Sequence, residues 1–291
     1  MNQEMKILIT GAHGQLGVDC VRELKQRGYR NLYALDKEEF DVTNEGEMRL
    51  RMKELCPDVV IHCAAWTAVD LAEQHEKEVW QINAEGAKCL ATLCKEGGAK
   101  LVFLSTDYVF DGRKEGFYDV SDEKNPLSVY AKSKAAGEDF VREILKESFI
   151  VRTSWMYGQG GPNFVKTMLR LAASGKKAID VVDDQIGSPT YAVDLAKLLA
   201  DMIETDRYGV YHATGEGFCS WAEFAERIFA LSGWDVTVHP VTTAAYAAKV
   251  RGQAKRPLNS KLDKSSLEKN GFCRLPHWQD GLARFLQQEI K

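Results

Sequence analysis

The sequence predicts an α/β protein: a doubly wound parallel sheet with helices on both faces, and a smaller α/β unit interleaved with it in the second half. Three observations lead there. Short apolar runs alternate with longer amphipathic ones from the N-terminus to about residue 153, as expected where buried parallel strands alternate with covering helices. A glycine triplet stands between the first apolar run and the first amphipathic one. Beyond about residue 155 the alternation loosens into turns, short helices and aromatic-rich loops.

Met5 to Thr10 reads as the first strand. Leu16 to Arg27 reads as a helix, with Val21 and Leu24 on one face and Gly28 placed to end it. Asn31 to Asp36 gives a second strand, and Glu45 to Cys56 a helix closed by Pro57. Val59 to Ala64 is a third strand, His75 to Lys95 one helix ending at Gly97-Gly98, and Lys100 to Ser105 a fourth strand. Pro126 is expected to open the next helix, where its fixed φ and missing N–H do no harm. Ala136, Phe140, Val141, Ile144 and Leu145 are expected on that helix's buried face, followed by a strand from Phe149 to Thr153. In the second half, Trp155 to Gly161, Asp183 to Tyr191 and Arg251 to Asp263 read as surface-lining segments.

Composition narrows the function classes. With 45% apolar and 27% charged residues the chain can build a core, which argues against a disordered or fibrous protein. Forty-two acidic against 38 basic groups give a net charge of −4, so there is no basic field for nucleic acid or an anionic membrane. Apolar runs such as Val59-Val60-Ile61 are far shorter than the ~20 residues of a membrane span. Seven cysteines without a Cys-x-x-Cys pattern read as reduced thiols rather than a disulfide framework or zinc site. A cytoplasmic protein is expected, with neither nucleic acid nor membrane as partner.

The first motif with chemistry is Gly11-Ala12-His13-Gly14-Gln15-Leu16-Gly17. Gly11 permits a tight turn, Gly14 lets the backbone approach a pyrophosphate, and Gly17 lets helix and strand pack closely. The helix N-terminus adds free N–H groups and partial positive charge for the phosphates. Strand, triplet and helix in this order predict a Rossmann-type dinucleotide site. Asp36 falls 19 residues after Gly17, where a carboxylate accepts from the adenosine ribose and favours NAD, whereas the neighbouring Lys37 suits the 2′-phosphate of NADP. Both readings stay open. The small residues Cys63, Ala64 and Ala65 at the end of the third strand leave room for the cofactor.

The second motif is Tyr130-Ala131-Lys132-Ser133-Lys134, whose tyrosine and lysine share one helix face at i and i+4. The third is Ser105-Thr106-Asp107-Tyr108, leaving the fourth strand 24 residues before Tyr130. Reduction of a ketone places negative charge on its oxygen, which needs a proton donor and a hydrogen-bond donor. Tyr130 is assigned the first role and Thr106 the second; Lys134 and the positive nicotinamide of the oxidised cofactor are expected to lower the phenol pKa, and Lys134 to hold the nicotinamide ribose.

These motifs resemble the extended short-chain dehydrogenase/reductases and, within them, the dTDP-4-dehydrorhamnose reductase family. The resemblance runs almost the whole chain. It is carried further by Arg152-Thr153-Ser154-Trp155-Met156-Tyr157-Gly158, Asn163-Phe164-Val165-Lys166-Thr167-Met168, Asp184-Gln185-Ile186-Gly187-Ser188-Pro189-Thr190-Tyr191 and Arg256-Pro257-Leu258-Asn259-Ser260. It implies an NAD(P)-binding domain over residues 1–154, joined by part of 185–215, and an interleaved sugar-nucleotide-binding domain over 155–291. NADPH or NADH would lie across Gly11 to Gly17, Asp41-Val42 and Cys63 to Ala65. Hydride would pass to C4 of a dTDP-4-keto-6-deoxy sugar while Tyr130 gives the proton. Thr106, Asp107, Tyr130 and Trp155 would touch that sugar nucleotide, and Arg256 is suited to its diphosphate. A homodimer is among the assemblies implied. Some relatives hold magnesium at a dimer interface. Asp19 stands where one such glutamate would be, the other ligands have no match, and no metal site is assigned.

Two further readings compete: a non-catalytic, NADP-binding regulatory subunit, and an epimerase or dehydratase of nucleotide sugars. The complete Thr106, Tyr130 and Lys134 set argues against the first. The absence of an Asp-Glu pair after Thr106, where Asp107-Tyr108 stands instead, argues against dehydration.

Overall fold

The computed structural model describes residues 3–250 and 252–289; Arg251, at the start of one expected surface segment, lies outside them. Five strands come from the first half: β1 (Lys6–Thr10), β2 (Asn31–Leu35), β3 (Val59–His62), β4 (Lys100–Thr106) and β5 (Ser148–Thr153). A sixth, Gly209–His212, is contributed from beyond the first part of the smaller unit. All six are parallel, in the order Gly209–His212, β5, β4, β3, β1, β2. The chain leaves β1 toward β2 on one side and returns past β1 to β3 on the other. That reversal opens a crevice beyond the carboxyl ends of β1 and β3, where α/β sheets bind ligands.

Alternating side chains of each strand feed two cores. Ile7, Ile9 and Ile61 point to one face, under helix α1 (Gln15–Gln26) and helix Ala192–Met202, which supplies Leu195 and Leu199. Leu8, Val60, Leu101 and Phe103 point to the other, under helix α2 (Glu45–Leu55) and helices Gly86–Gly97 and Val129–Ile144. The smaller unit packs helices Phe164–Ala173, Trp221–Ser232 and Trp278–Glu289 beside a parallel pair, Ala178–Val182 and Thr237–Val241. Phe224, Ile228, Leu282 and Phe285 fill its core.

Three expectations are corrected. The helix after β4 starts at Val129, not at Pro126, because Ser128 accepts the Ala131 N–H at 3.2 Å and caps it. Its buried face carries Ala131, Lys134, Ala135, Glu138 and Val141 rather than a wholly apolar stripe, and Ala136 and Phe140 are only half-buried. The helix expected from His75 to Lys95 is Glu76–Trp80, a π-helical turn at Gln81–Glu85, and Gly86–Gly97. Asn83 lies within that turn, its side chain bonded to the Trp66 backbone and to Ser133.

Below the Val129–Ile144 helix, Arg152 of β5 reaches Glu138 with Nε and Nη2 at 2.9 and 2.8 Å. Both side chains are inaccessible to solvent, and Lys124 joins the pair at 3.4 Å. Burial opposes charge on Glu138, but its bond to the guanidinium prevails and holds the carboxyl below the usual range. This ion pair fixes the helix that bears Tyr130 and Lys134 to the sheet. Among the described residues no helix is long and apolar enough to cross a membrane. All seven cysteines are free.

Candidate active site

The glycine turn is built by close packing. Gly11 has φ +62°, and a Cβ there would lie 2.7 Å from the Ala64 nitrogen. A Cβ on Gly17 would run into the Gly11 carbonyl and lie 2.7 Å from Ala12 Cα. Either substitution would drive the first turn away from β3 or α1 from β1. Gly14 N donates to Gly11 O at 3.0 Å, and α1 begins at Gln15 with no side-chain cap, so its first N–H groups face the crevice. Asp36, just past β2, accepts the His13 N–H at 3.0 Å and ties the turn to that strand end.

A cavity of about 480 Å³ opens at this point. Its walls include Gly11, Gly14, Gln15, Leu16 and Gly17 from the turn, Cys63 and Ala65 after β3, Thr106 and Asp107 after β4, and Tyr130 and Lys134 from the helix. Trp155 closes it from the smaller unit. The remaining expected residues lie outside these walls. Ala12 and Ala64 back the turn, His13 is exposed, and Asp36 sits at its edge. Asp41 binds Thr43, and Val42 packs beneath Gly86. Arg256 pairs with Asp70 at 2.8 Å and also meets the Tyr108 hydroxyl. The Ala254 N–H donates to the same aspartate at 2.9 Å, so the segment before Pro257 is strapped to the short helix Val69–Ala72 that follows β3.

Thr106 ends β4, and its hydroxyl donates to Asp107 Oδ1 at 3.0 Å, with Tyr130 in the wall of the same cavity. Loss of water around the phenol raises Tyr130 to about 12; Thr106 opposes this and Asp107 adds to it. Burial is the largest influence on this phenol, and Lys134 is not among the groups that act on it. Lys134 lies one turn on, its ammonium 4.2 Å from the centre of the Phe103 ring. Burial draws it down to about 8 against the opposing charge of Glu138. Asp107 is buried and pushed up to about 6, with Ser260 and Thr106 as partners. The site therefore offers a protonated phenol, a hydroxyl beside it and a buried amine.

Trp155 is held by contacts that local sequence does not announce. Its ring stacks on Trp221 with centroids 3.6 Å apart and planes 11° apart. Gly187 presses against its edge, where a Cβ would lie 2.7 Å from the indole. Its φ of +47° is costly for a side chain of this size. Tyr108, Thr153 and Trp221 also line the cavity and were not among the expected site residues. Tyr108 stands edge-on to Tyr130, with ring centroids 6.1 Å apart. Only its place beside Thr106 and Asp107 could have drawn attention to it.

The fold is that of the short-chain dehydrogenase/reductase class. Comparison with known proteins narrows this. A family model described as the RmlD substrate binding domain matches residues 5–290, and the chain belongs to that family. The spore coat polysaccharide biosynthesis protein SpsK of Bacillus subtilis (strain 168) is 41% identical over 283 residues, covering 97% of each chain. A dTDP-4-dehydrorhamnose reductase of Aggregatibacter actinomycetemcomitans is 40% identical over 285 residues, covering 95% of this chain and 97% of its own. The crystal structure of a dTDP-4-dehydrorhamnose reductase from Bacillus anthracis str. Ames in complex with NADP superposes with a TM-score of 0.93 at 44% identity, covering 98% of this chain and 99% of that one.

Proposed function

We propose that this chain reduces the C4 ketone of dTDP-4-dehydro-β-L-rhamnose to dTDP-L-rhamnose with NAD(P)H, as the last step of dTDP-rhamnose synthesis. The observation that carries the reading is that Thr106, Tyr130 and Lys134 line one cavity with the glycine turn. The names of the full-length relatives supply the substrate class.

The turn fits a dinucleotide: a side chain at Gly11 or Gly17 would collide with backbone, and the uncapped start of α1 faces the crevice. Gly11 to Gly17 hold the pyrophosphate, Asp36 the adenosine ribose, Asp41 and Val42 the adenine end, Cys63 to Ala65 the middle of the cofactor, and Lys134 the nicotinamide ribose. When bound, the reduced nicotinamide supplies the hydride. Tyr130 keeps its proton at neutral pH and gives it to the C4 oxygen as charge develops there, while the Thr106 hydroxyl donates a second hydrogen bond to that oxygen. Asp107 bonds a sugar hydroxyl and Trp155 forms a flat apolar wall. Arg256 exchanges Asp70 for the substrate diphosphate, since its guanidinium fork matches phosphate oxygens. We infer that the enzyme works in the cytoplasm, as a homodimer, on a free nucleotide sugar.

The test mixes purified protein with enzymatically generated dTDP-4-dehydro-L-rhamnose and follows NADH and NADPH absorbance separately. Oxidation by the wild type but not by Tyr130→Phe, with dTDP-L-rhamnose as product, is the expected result. Tight NADPH binding with no oxidation would sink the assignment, and a talose product would move it to a sister reductase.

A further inference from the structure

Gln15, the first residue of α1, ties the glycine turn to the segment that carries Trp155. Its Nε2 donates to the Met156 carbonyl at 2.9 Å, and its Oε1 accepts from Asn163 Nδ2 at 3.0 Å. The same Nδ2 donates to the Gly158 carbonyl at 2.9 Å, while Asn163 Oδ1 accepts the Lys166 N–H at 3.0 Å and caps helix Phe164–Ala173. Each amide is thereby fixed in orientation by its other partners. Backbone contact reinforces the bond: a Cβ on Gly160 would lie 2.9 Å from the Gly14 carbonyl and 3.0 Å from Gln15 Cα. The segment from Met156 to Asn163 thus rests directly on the turn, clasped at both ends by one side chain.

We propose that Gln15 is a positioning residue that couples dinucleotide occupancy of the glycine turn to nucleotide-sugar binding against Trp155. Met156, which accepts from Gln15, is the residue next to Trp155, whose left-handed backbone is held between Trp221 and Gly187. A pyrophosphate on the turn fixes Gly14 and Gln15. Through the clasp it fixes the Met156 carbonyl and the start of helix Phe164–Ala173, so the second ligand meets a wall already set. Linkage requires the converse: the nucleotide sugar tightens the dinucleotide by the same factor. The inference rests on the function proposed above, because it needs both ligands in this cleft.

The experiment is calorimetric titration of dTDP into the protein with and without saturating NADP+, and of NADP+ with and without dTDP. The wild type is expected to bind each ligand about fivefold or more tightly when the other is present, within the usual range of such couplings. Gln15→Ala is expected to bring that factor close to one. Asn163→Asp keeps the cap on Lys166 but removes both donated bonds. It should lose the coupling as well, while binding NADP+ alone as the wild type does. Coupling of wild-type size in folded Gln15→Ala or Asn163→Asp would overturn the proposal. So would a wild type that binds both ligands independently, and in that case the reductase reading survives. A wild type that binds NADP+ but no dTDP would instead bring down the function reading and the coupling with it.

Discussion

Trp155 and Trp221 lie face to face, ring centroids 3.6 Å apart, although 66 residues separate them in the chain. The pair brings the loop after β5 and the first turn of helix Trp221–Ser232 to one side of the cleft. An aromatic pair of this kind is worth about 0.5–1.5 kcal/mol beyond its buried area. Trp221→Ala should therefore raise KM for the sugar nucleotide about three- to tenfold and leave NADPH affinity unchanged. Steady-state kinetics with each substrate varied in turn would show this; an unchanged KM would mean the stack plays no part in binding.

Tyr130→Phe removes the proton donor and little else, since the ring keeps its place opposite Tyr108. The expected loss is about 10²–10⁴-fold in kcat, with NADPH binding by fluorescence titration preserved.

Activity should depend on the charge of Lys134. With its ammonium drawn down to about 8 by burial, the charged form prevails below that pH and is lost above it. The rate should fall through one deprotonation near pH 8, well before the Tyr130 phenol, at about 12, gives up its proton. Lys134→Met should abolish that limb of the pH profile along with most of the activity.

Two buried histidines set the acid side of stability. Burial lowers His62 to about 3 and His212 to about 4, both below the ordinary value of about 6.5. Between those limits the unfolded chain binds protons that the folded one refuses, so stability is complete above about pH 6.5 and falls as pH drops toward 4. Asp107 works the other way below about 6, because its folded carboxyl holds a proton that the unfolded one releases. Two histidines against one carboxyl give a net loss on acidification, readable as a falling urea midpoint between pH 7 and 4.

Glu138→Gln leaves the Arg152 guanidinium buried without its counter-charge and should cost about 3–5 kcal/mol. Arg152→Met with Glu138→Leu should cost much less than either change alone. Chemical denaturation of the four variants gives the comparison.

Five of the sheet's strands were legible because each has a short apolar centre and because β1, the glycine turn and α1 follow one another directly. Tyr130 and Lys134 were legible for a related reason, as helical spacing alone places them on one face. The same helix shows where reading stops. Lys134 and Glu138 are charges that a periodicity argument assigns to water, yet both are buried, one in the cavity wall and one against Arg152. Pro126 and Ser128 are rival start signals two residues apart, and only the bond to Ala131 decides between them. The extra residue of the π turn at Asn83 leaves no mark on an apolar pattern. Trp221, Gly187 and the Asp70–Arg256 pair meet across long stretches of chain, and nothing local in the sequence encodes such meetings.

One edge strand of the sheet, Gly209–His212, is also the last of its strands to be synthesised. Until Gly209–His212 emerges, β5 is an open edge with a row of unanswered N–H and C=O groups, the template on which nascent chains aggregate. Residues 156–208 must therefore leave the ribosome and fold while the sheet is unfinished. Cutting the chain after residue 155 should not yield a soluble cofactor-binding half. The two units share one maturation event, and a chaperone's window on this protein stays open until some seven-tenths of it has been translated.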